Sequence, residues 1–208
     1  MIFETWITFS LAAAVVLIIP GPTILAVISH SLVHGRKAVL PLAVGVTLGD
    51  FTAMSLSLLG LGAILAASAT LFSALKLFGA LYLIYLGVRL WRSDPKENEF
   101  NASGTVVSNR SLLANLFIVT ALNPKSIAFF IAFVPQFINP SERALSQFIL
   151  LEGTFLFLAA VNATLYALFA GHLRERVQSR KTRRWFNRCG GTALIGAGFL
   201  TATMGRSS

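Results

Sequence analysis

The sequence predicts an all-α integral membrane protein whose six transmembrane helices form two inverted three-helix repeats. The first observation is composition, because 55% of the 208 residues are hydrophobic and 12% are charged, with a mean hydropathy of +0.74. Soluble domains are usually about a quarter charged. The second observation is a series of long apolar segments. The third is a proline-containing interruption in the first and fourth of these segments, at Pro20-Gly21-Pro22 and Asn123-Pro124-Lys125.

The six segments are each long enough, or nearly so, to cross a hydrocarbon core that needs about 20 apolar residues. Their predicted bounds are 5–29, 38–67, 71–91, 111–138, 144–171 and 185–204. The second and third are separated so briefly that they should form a tight helical hairpin. We therefore expect one transmembrane domain over 1–208, with repeat halves of about 1–92 and 111–208 and a polar cytoplasmic linker at 93–110.

The distribution of basic residues predicts the orientation. Two follow the first segment, four follow the third, and seven lie between Arg174 and Arg188, whereas the opposite side carries only Arg143 and Arg206. The positive-inside rule then places both termini outside and the three basic loops in the cytoplasm. Because the charge of +9 is concentrated next to apolar segments, contact with anionic lipid is favoured and nucleic-acid binding is not expected. The acidic start of the chain also argues against a removable signal peptide, so the first segment should remain as a helix.

The two interruptions indicate a functional site. Pro20 and Pro22 each lack an N–H group, and Gly21 between them adds backbone freedom, so an intact helix is not expected there. Broken backbone at membrane depth is tolerated only where protein buries it or where it lines a wet cavity. Broken helices in corresponding halves are a recognised sign of a transporter site.

An offset of 102 residues relates the halves, because it carries Pro22 onto Pro124 and Asp50 onto Glu152. Each half then has a broken first helix and, 28 residues later, an acidic residue in the next helix. Three segments per half is an odd number, so the halves should insert in opposite directions. The alternative is coincidence, because side-chain identity at this offset is otherwise poor.

Four charged residues lie inside apolar segments, namely Asp50, Lys76, Lys125 and Glu152. A charge at the bilayer centre costs at least about 2.5–3.5 kcal/mol, so it should have a partner or a pathway. The hypothesis is that Asp50 exchanges a proton or holds a substrate ammonium, while Lys125 faces a substrate carboxylate or pairs with an acid. A static Asp50–Lys125 pair that only fixes the bundle is the structural alternative. Lys76 could equally be an interfacial anchor, and Glu152 rests on the repeat alone.

Small residues predict close helix packing. Gly45, Gly49 and Ala53 recur every four residues on the second segment, and Gly79 and Gly87 should act similarly on the third. The single cysteine excludes an intrachain disulfide, and the sequence has no metal-ligand spacing. We expect neither a cofactor nor a metal.

Five motifs in order along the chain resemble the lysine exporter (LysE) superfamily, and most closely its homoserine/threonine-resistance (RhtB) branch. They are Pro20-Gly21-Pro22, Gly45-x-x-x-Gly49-Asp50, Lys76-x-x-Gly79-Ala80-x-Tyr82-Leu83-x-Tyr85-Leu86-Gly87, Asn123-Pro124-Lys125 and Asn187-Arg188-x-Gly190-Gly191. Glu152 matches no motif of this family.

The resemblance implies an exporter of amino acids or close derivatives in the bacterial inner membrane, driven by the proton gradient. It also implies that Asp50 and both proline motifs belong to the transport path. With no second acid pair to hold a basic side chain, the sequence favours a neutral, threonine- or homoserine-like substrate. The expected partners are that substrate, protons and lipid, with a homo-oligomer also allowed. A passive channel for small zwitterions and a membrane-embedded enzyme are the alternatives, and the latter lacks an obvious nucleophile–base pair.

Overall fold

The computed structural model describes residues 3–92, 108–139 and 141–170, together with short pieces between 181 and 199. Most of the linker predicted at 93–110 and of the sixth segment predicted at 185–204 therefore lies outside the described residues. The side chain of Lys76 and the packing around Gly79 lie outside them as well, although the backbone of both residues belongs to a described helix.

All regular elements in these ranges are helical. Seven α-helices are interspersed with two 3₁₀ turns, at Gly35–Ala38 and Val134–Phe137. The α-helices are α1 Phe3–Ile18, α2 Pro22–His34, α3 Val39–Ala67, α4 Ala69–Arg92, α5 Asn109–Ala121, α6 Pro124–Ala132 and α7 Ala144–Leu168. A single residue, Ser68, separates α3 from α4, and the two helices contact each other as the predicted hairpin requires.

Helix α3 is the centre of the bundle, because it contacts α4, α5, α6 and α7. It is apolar on all sides, as a helix enclosed by other helices or lipid should be, and Asp50 is its one charged residue. Pro41 lies in its first turn, where a missing N–H removes no helical hydrogen bond.

Two apolar clusters fill the interior. One includes Phe9, Met54 and Phe155, from α1, α3 and α7, and the other includes Leu42 and Leu116, from α3 and α5. Asp50 lies on α3 between Val46 of the second cluster and Ala53 of the first. A polar layer thus separates two apolar layers.

The apolar character of the exterior supports the membrane class. Leu59 is 70% exposed and Phe157 is 68% exposed, which lipid would tolerate and water would not. By length and composition, two stretches within the described residues can cross a membrane, Pro22–Ala63 and Ala144–Leu168. A third span results if Asn109–Ala121 and Pro124–Phe137, bent by 45° relative to each other, are counted together. Six spans therefore remain a prediction.

The helices occur in the same order in both halves. A helix, a break, a shorter helix, a 3₁₀ turn and a long helix follow each other from α1 to α3, and again from α5 to α7. The helices after the breaks begin at Pro22 and Pro124, 102 residues apart. An inverted symmetry between the halves stays a prediction.

Candidate functional site

The first break separates α1 from α2. The last backbone hydrogen bond of α1 runs from Ile19 N to Val15 O, at 3.3 Å. Gly21 is the N-cap of α2 in an extended conformation, and Pro22 occupies the first turn, where its missing N–H costs no hydrogen bond. The break therefore exposes the carbonyl groups that end α1, together with the first N–H groups of α2.

Lys125, from the first turn of α6, binds the end of α1. Its Nζ donates to the carbonyl oxygen atoms of Val16 and Ile19, at 3.0 and 2.9 Å. Gly21 makes room for this ammonium, because a Cβ atom there would lie 3.3 Å from Nζ. The hydrogen-bond partners of Lys125 are thus two backbone carbonyl groups, and a substrate carboxylate or an acid as its partner stays a prediction.

Helix α7 supplies the remaining caps of α1. Asn162 Nδ2 donates to Leu17 O at 3.1 Å, and Tyr166 Oη donates to Ile18 O at 2.8 Å. Together with Lys125, these side chains satisfy four successive carbonyl groups at the end of the helix. In a low-dielectric interior, each unmade bond would cost about 1–3 kcal/mol.

The second break lies against the first. Asn123 caps α6, because its Oδ1 accepts from Lys125 N at 3.0 Å, and its Nδ2 donates to Thr23 Oγ1 at 3.0 Å. Thr120 Oγ1 also donates to Thr23 Oγ1, at 3.4 Å. Thr23 belongs to the first turn of α2, so these bonds connect the two interrupted helices directly.

Asp50 shares a small cavity with both breaks. The cavity has about 20 Å³ for the centres of water molecules, which is enough for one or two of them. Asp50 is 2% exposed, and its Oδ1 is buried without a hydrogen-bond partner. The lining consists of Val16, Leu17, Thr23, Ile24, Val46, Asp50, Asn123, Lys125, Ser126, Phe155, Ala159 and Asn162.

Glycines bring α3 against α5 beside this cavity. A Cβ atom at Gly45 would lie 2.6 Å from Leu113 O, and one at Gly49 would lie 2.7 Å from the Thr120 Cβ. Only glycine permits this approach, and Ala53 continues the same face as a buried residue. Gly87 of α4 is in similar contact, since its Cβ would lie 2.6 Å from Gly191 O.

Other predicted site residues lie away from the cavity lining. Pro22 and Pro124 are exposed, so they interrupt the helices without facing the cavity. Pro124 instead lines an apolar groove between α4 and α6. Glu152 accepts a hydrogen bond from Ser55 Oγ at 2.6 Å, and neither residue lines the cavity.

Sequence reasoning missed four polar residues, Thr23, Ser126, Asn162 and Tyr166. Asn162 and Tyr166 are separated by one helical turn, so the same face of α7 carries both. This polar pair inside an otherwise apolar segment is the signal that could have found them. Thr23 directly follows the first proline motif but carries no charge. The cost of burying a charge in the bilayer therefore gives no signal at this position.

Comparison with known proteins gives a family match over most of the chain. The family model of LysE type translocators matches residues 14–205. An uncharacterized membrane protein of Vibrio cholerae is 31% identical over 203 residues, covering 98% of both chains. No solved structure matches the chain.

Two similar proteins carry functional names. A homoserine/homoserine lactone efflux protein of Salmonella typhimurium is 30% identical over 203 residues, covering 98% of both chains. A leucine efflux protein of an Enterobacter species is 30% identical over 194 residues, covering 93% of this chain and 90% of that protein. Both names describe export of a neutral amino acid or a close derivative.

Proposed function

The chain belongs to the LysE type translocator family, and on this basis we propose that it exports small neutral amino acids or close derivatives from the bacterial cytoplasm by proton antiport. Members of this family are translocators, so the protein is not an enzyme. The observation that carries the proposal is the buried Asp50, whose Oδ1 has no hydrogen-bond partner within the described structure, in a cavity between two interrupted helices.

The helix ends around the cavity suit the two charges of a zwitterion. Carbonyl groups at the end of α1 form the negative end of a helix dipole, and the first turns of α2 and α6 form positive ends. An α-ammonium would bind the former and an α-carboxylate the latter. Among the described lining residues, Asp50 is the one acid, so no second carboxylate is present to hold a basic side chain. This supports a neutral substrate, in agreement with the names of the two efflux proteins.

Asp50 is the proposed proton carrier. A buried carboxylate oxygen without a hydrogen-bond partner is costly, which favours the protonated form of the group. A carboxyl group that is protonated from one side of the membrane and deprotonated to the other couples proton entry to substrate export. The two breaks stay open toward the Asp50 carboxyl group because their residues do not continue a helix. These residues are Pro20, Gly21, Pro22, Asn123 and Pro124.

The cavity is too small for an amino acid, so the structure corresponds to a closed conformation. Transport then requires the breaks to open alternately to the two sides of the membrane. The equal order of elements in the two halves supports an inverted repeat, because such repeats let one half rock against the other around a fixed site. We place the protein in the bacterial inner membrane with basic loops in the cytoplasm. Lipid is a further partner, and a homo-oligomer is compatible with this arrangement.

Reconstitution into proteoliposomes tests the proposal. The vesicles are loaded with labelled L-homoserine, or with L-leucine in a parallel series, and efflux is measured with and without an inward proton gradient. We expect the gradient to accelerate wild-type efflux. Asp50→Asn should insert normally and lose this acceleration, because a side-chain amide does not take up and release a proton as a carboxyl group does.

A passive channel is the competing function, and the same experiment separates it from antiport. A channel would release the label equally well without a gradient, and Asp50→Asn would change which solutes pass while leaving flux intact. Gradient-driven efflux at the wild-type rate in Asp50→Asn would show that another group carries the proton.

A further inference from the structure

We propose that the Lys125 ammonium and the substrate ammonium bind in turn to the same carbonyl groups of α1, and that Lys125 moves to Asp50 when the substrate arrives. This inference rests on the proposed function and assigns the residue that links substrate binding to proton release. Lys125 is then a tethered competitor of the substrate, and not merely a cap of the broken helix.

The contacts of Lys125 define the ammonium site. Its Nζ lies 3.0 Å from Val16 O and 2.9 Å from Ile19 O. These are two carbonyl groups at the negative end of a helix, which is where a primary ammonium is stabilised. The α-ammonium of an amino acid is the same chemical group with the same three N–H donors. While Lys125 occupies both oxygen atoms, the substrate cannot bind there.

Asp50 offers Lys125 a second position. Both residues line the same cavity, and the Oδ1 of Asp50 accepts no hydrogen bond within the described structure. A lysine side chain is long and flexible, so its ammonium can change partners without a change in the backbone of α6. No side chain at Gly21 obstructs the path beside Nζ.

Lys125 is the basic residue among the described lining residues of the cavity, so its position determines whether Asp50 is charged. Helices α1, α2 and α7 contribute no ionisable group to the described lining. Their lining residues are Val16, Leu17, Thr23, Ile24, Phe155, Ala159 and Asn162. Helix α6 contributes Ser126 beside Lys125, and α5 contributes Thr120, which binds Thr23. Glu152 of α7 contacts Ser55 outside the cavity.

The two positions of the Lys125 ammonium couple substrate binding to proton binding. Without substrate, Lys125 binds the carbonyl groups, and Asp50, whose Oδ1 has no hydrogen-bond partner, keeps its proton. When the substrate ammonium takes the carbonyl groups, Lys125 reaches Asp50, the carboxyl O–H bond breaks, its proton leaves to water, and an ammonium–carboxylate pair forms. When the substrate leaves on the other side, Lys125 returns and Asp50 takes up a proton from there. One proton enters for each substrate exported.

Proton release on binding tests this directly, in detergent solution with a pH indicator and almost no buffer. Wild-type protein should release about one proton per bound L-homoserine, because substrate on the carbonyl groups and a proton on Asp50 exclude each other. Lys125→Met, which preserves length, and Lys125→Gln, which keeps N–H donors for the carbonyl groups, should bind substrate with the release lost. Thr154→Val is the matched control, because it removes a hydrogen bond between α1 and α7, from Trp6 Nε1 to Thr154 Oγ1, outside the cavity lining and without removing a charge, so it should retain the release.

A wild-type measurement makes the test independent of whether the variants fold. Methylammonium carries the ammonium alone and should release protons by itself, whereas tetramethylammonium, which has no N–H group, should not. Release from a folded Lys125→Met or Lys125→Gln protein at the wild-type level, or no release with methylammonium, would overturn the inference. Antiport would survive either result if wild-type vesicles still couple efflux to the gradient, whereas uncoupled wild-type vesicles would refute the proposed function itself.

Discussion

The contact between α3 and α5 can be tested by adding one methyl group to Gly49. A Cβ atom at this position would lie 2.7 Å from the Thr120 Cβ and 2.8 Å from Phe117 O, whereas ordinary contact begins at 3.4 Å. One of the two neighbours is backbone, so a rotamer change cannot relieve the clash. In Gly49→Ala, α5 must therefore move away from α3 by several tenths of an ångström.

The magnitude follows from two opposing effects. Overpacking costs about 1–3 kcal/mol, while replacing a helical glycine by alanine gains about 0.5–1 kcal/mol. The net loss is at most about 2.5 kcal/mol. At about 2–4 °C per kcal/mol for a chain of this size, the unfolding midpoint in detergent should fall by up to about 10 °C. Fluorescence-detected thermal unfolding of the purified protein measures this shift.

Gly60 provides the matched control on the same helix. A Cβ atom there would meet nothing within 4 Å, so Gly60→Ala gains helix propensity without a clash and should leave the midpoint unchanged or raise it. Gly49→Ala should therefore have the lower unfolding midpoint of the two alanine variants. A Gly49→Ala protein as stable as Gly60→Ala would refute the close approach of α3 and α5.

Two further predictions concern the polar contacts. Asn123→Ala removes the cap of α6 and the bond to Thr23, so it should cost about 1–2 kcal/mol and slow efflux. Ser108→Ala is the control, because it removes the cap of α5 outside the cavity. Equal slowing of efflux by both substitutions would show that the contact between Asn123 and Thr23 does not matter for efflux. Glu152→Gln keeps an oxygen acceptor for Ser55 and should leave the response of efflux to the proton gradient unchanged. Loss of that response would place Glu152 in the proton pathway.

The sequence was informative wherever a residue is costly in hydrocarbon. The proline motifs predicted both breaks, and the bounds predicted for the second and fifth segments lie within three residues of α3 and α7. Asp50 is one of the two acids inside the apolar segments, and of these two it lies in the cavity lining. Residue type alone, however, does not specify partners. Lys125 binds carbonyl groups that only the packing of α6 against α1 brings within reach, and Asn162 and Tyr166 acquire their role through the position of α7.

A break in a transmembrane helix creates a site only if the exposed backbone groups have partners, because hydrocarbon supplies none. Here the partners of the α1 carbonyl groups come from the second half of the chain, through Lys125, Asn162 and Tyr166. The caps at Asn162 and Tyr166 are neutral, whereas the cap at Lys125 carries the charge that an amino acid also carries. In the proposed opening of the two halves, the caps are exchanged for water or substrate, and the neutral ones can be replaced by water alone. Removing the ammonium from the helix end leaves a negative dipole unbalanced, and a second ammonium restores the balance. On the proposed mechanism, the broken helix therefore favours opening with a bound amino acid over opening empty, which a proton-coupled exporter needs to avoid leaking protons.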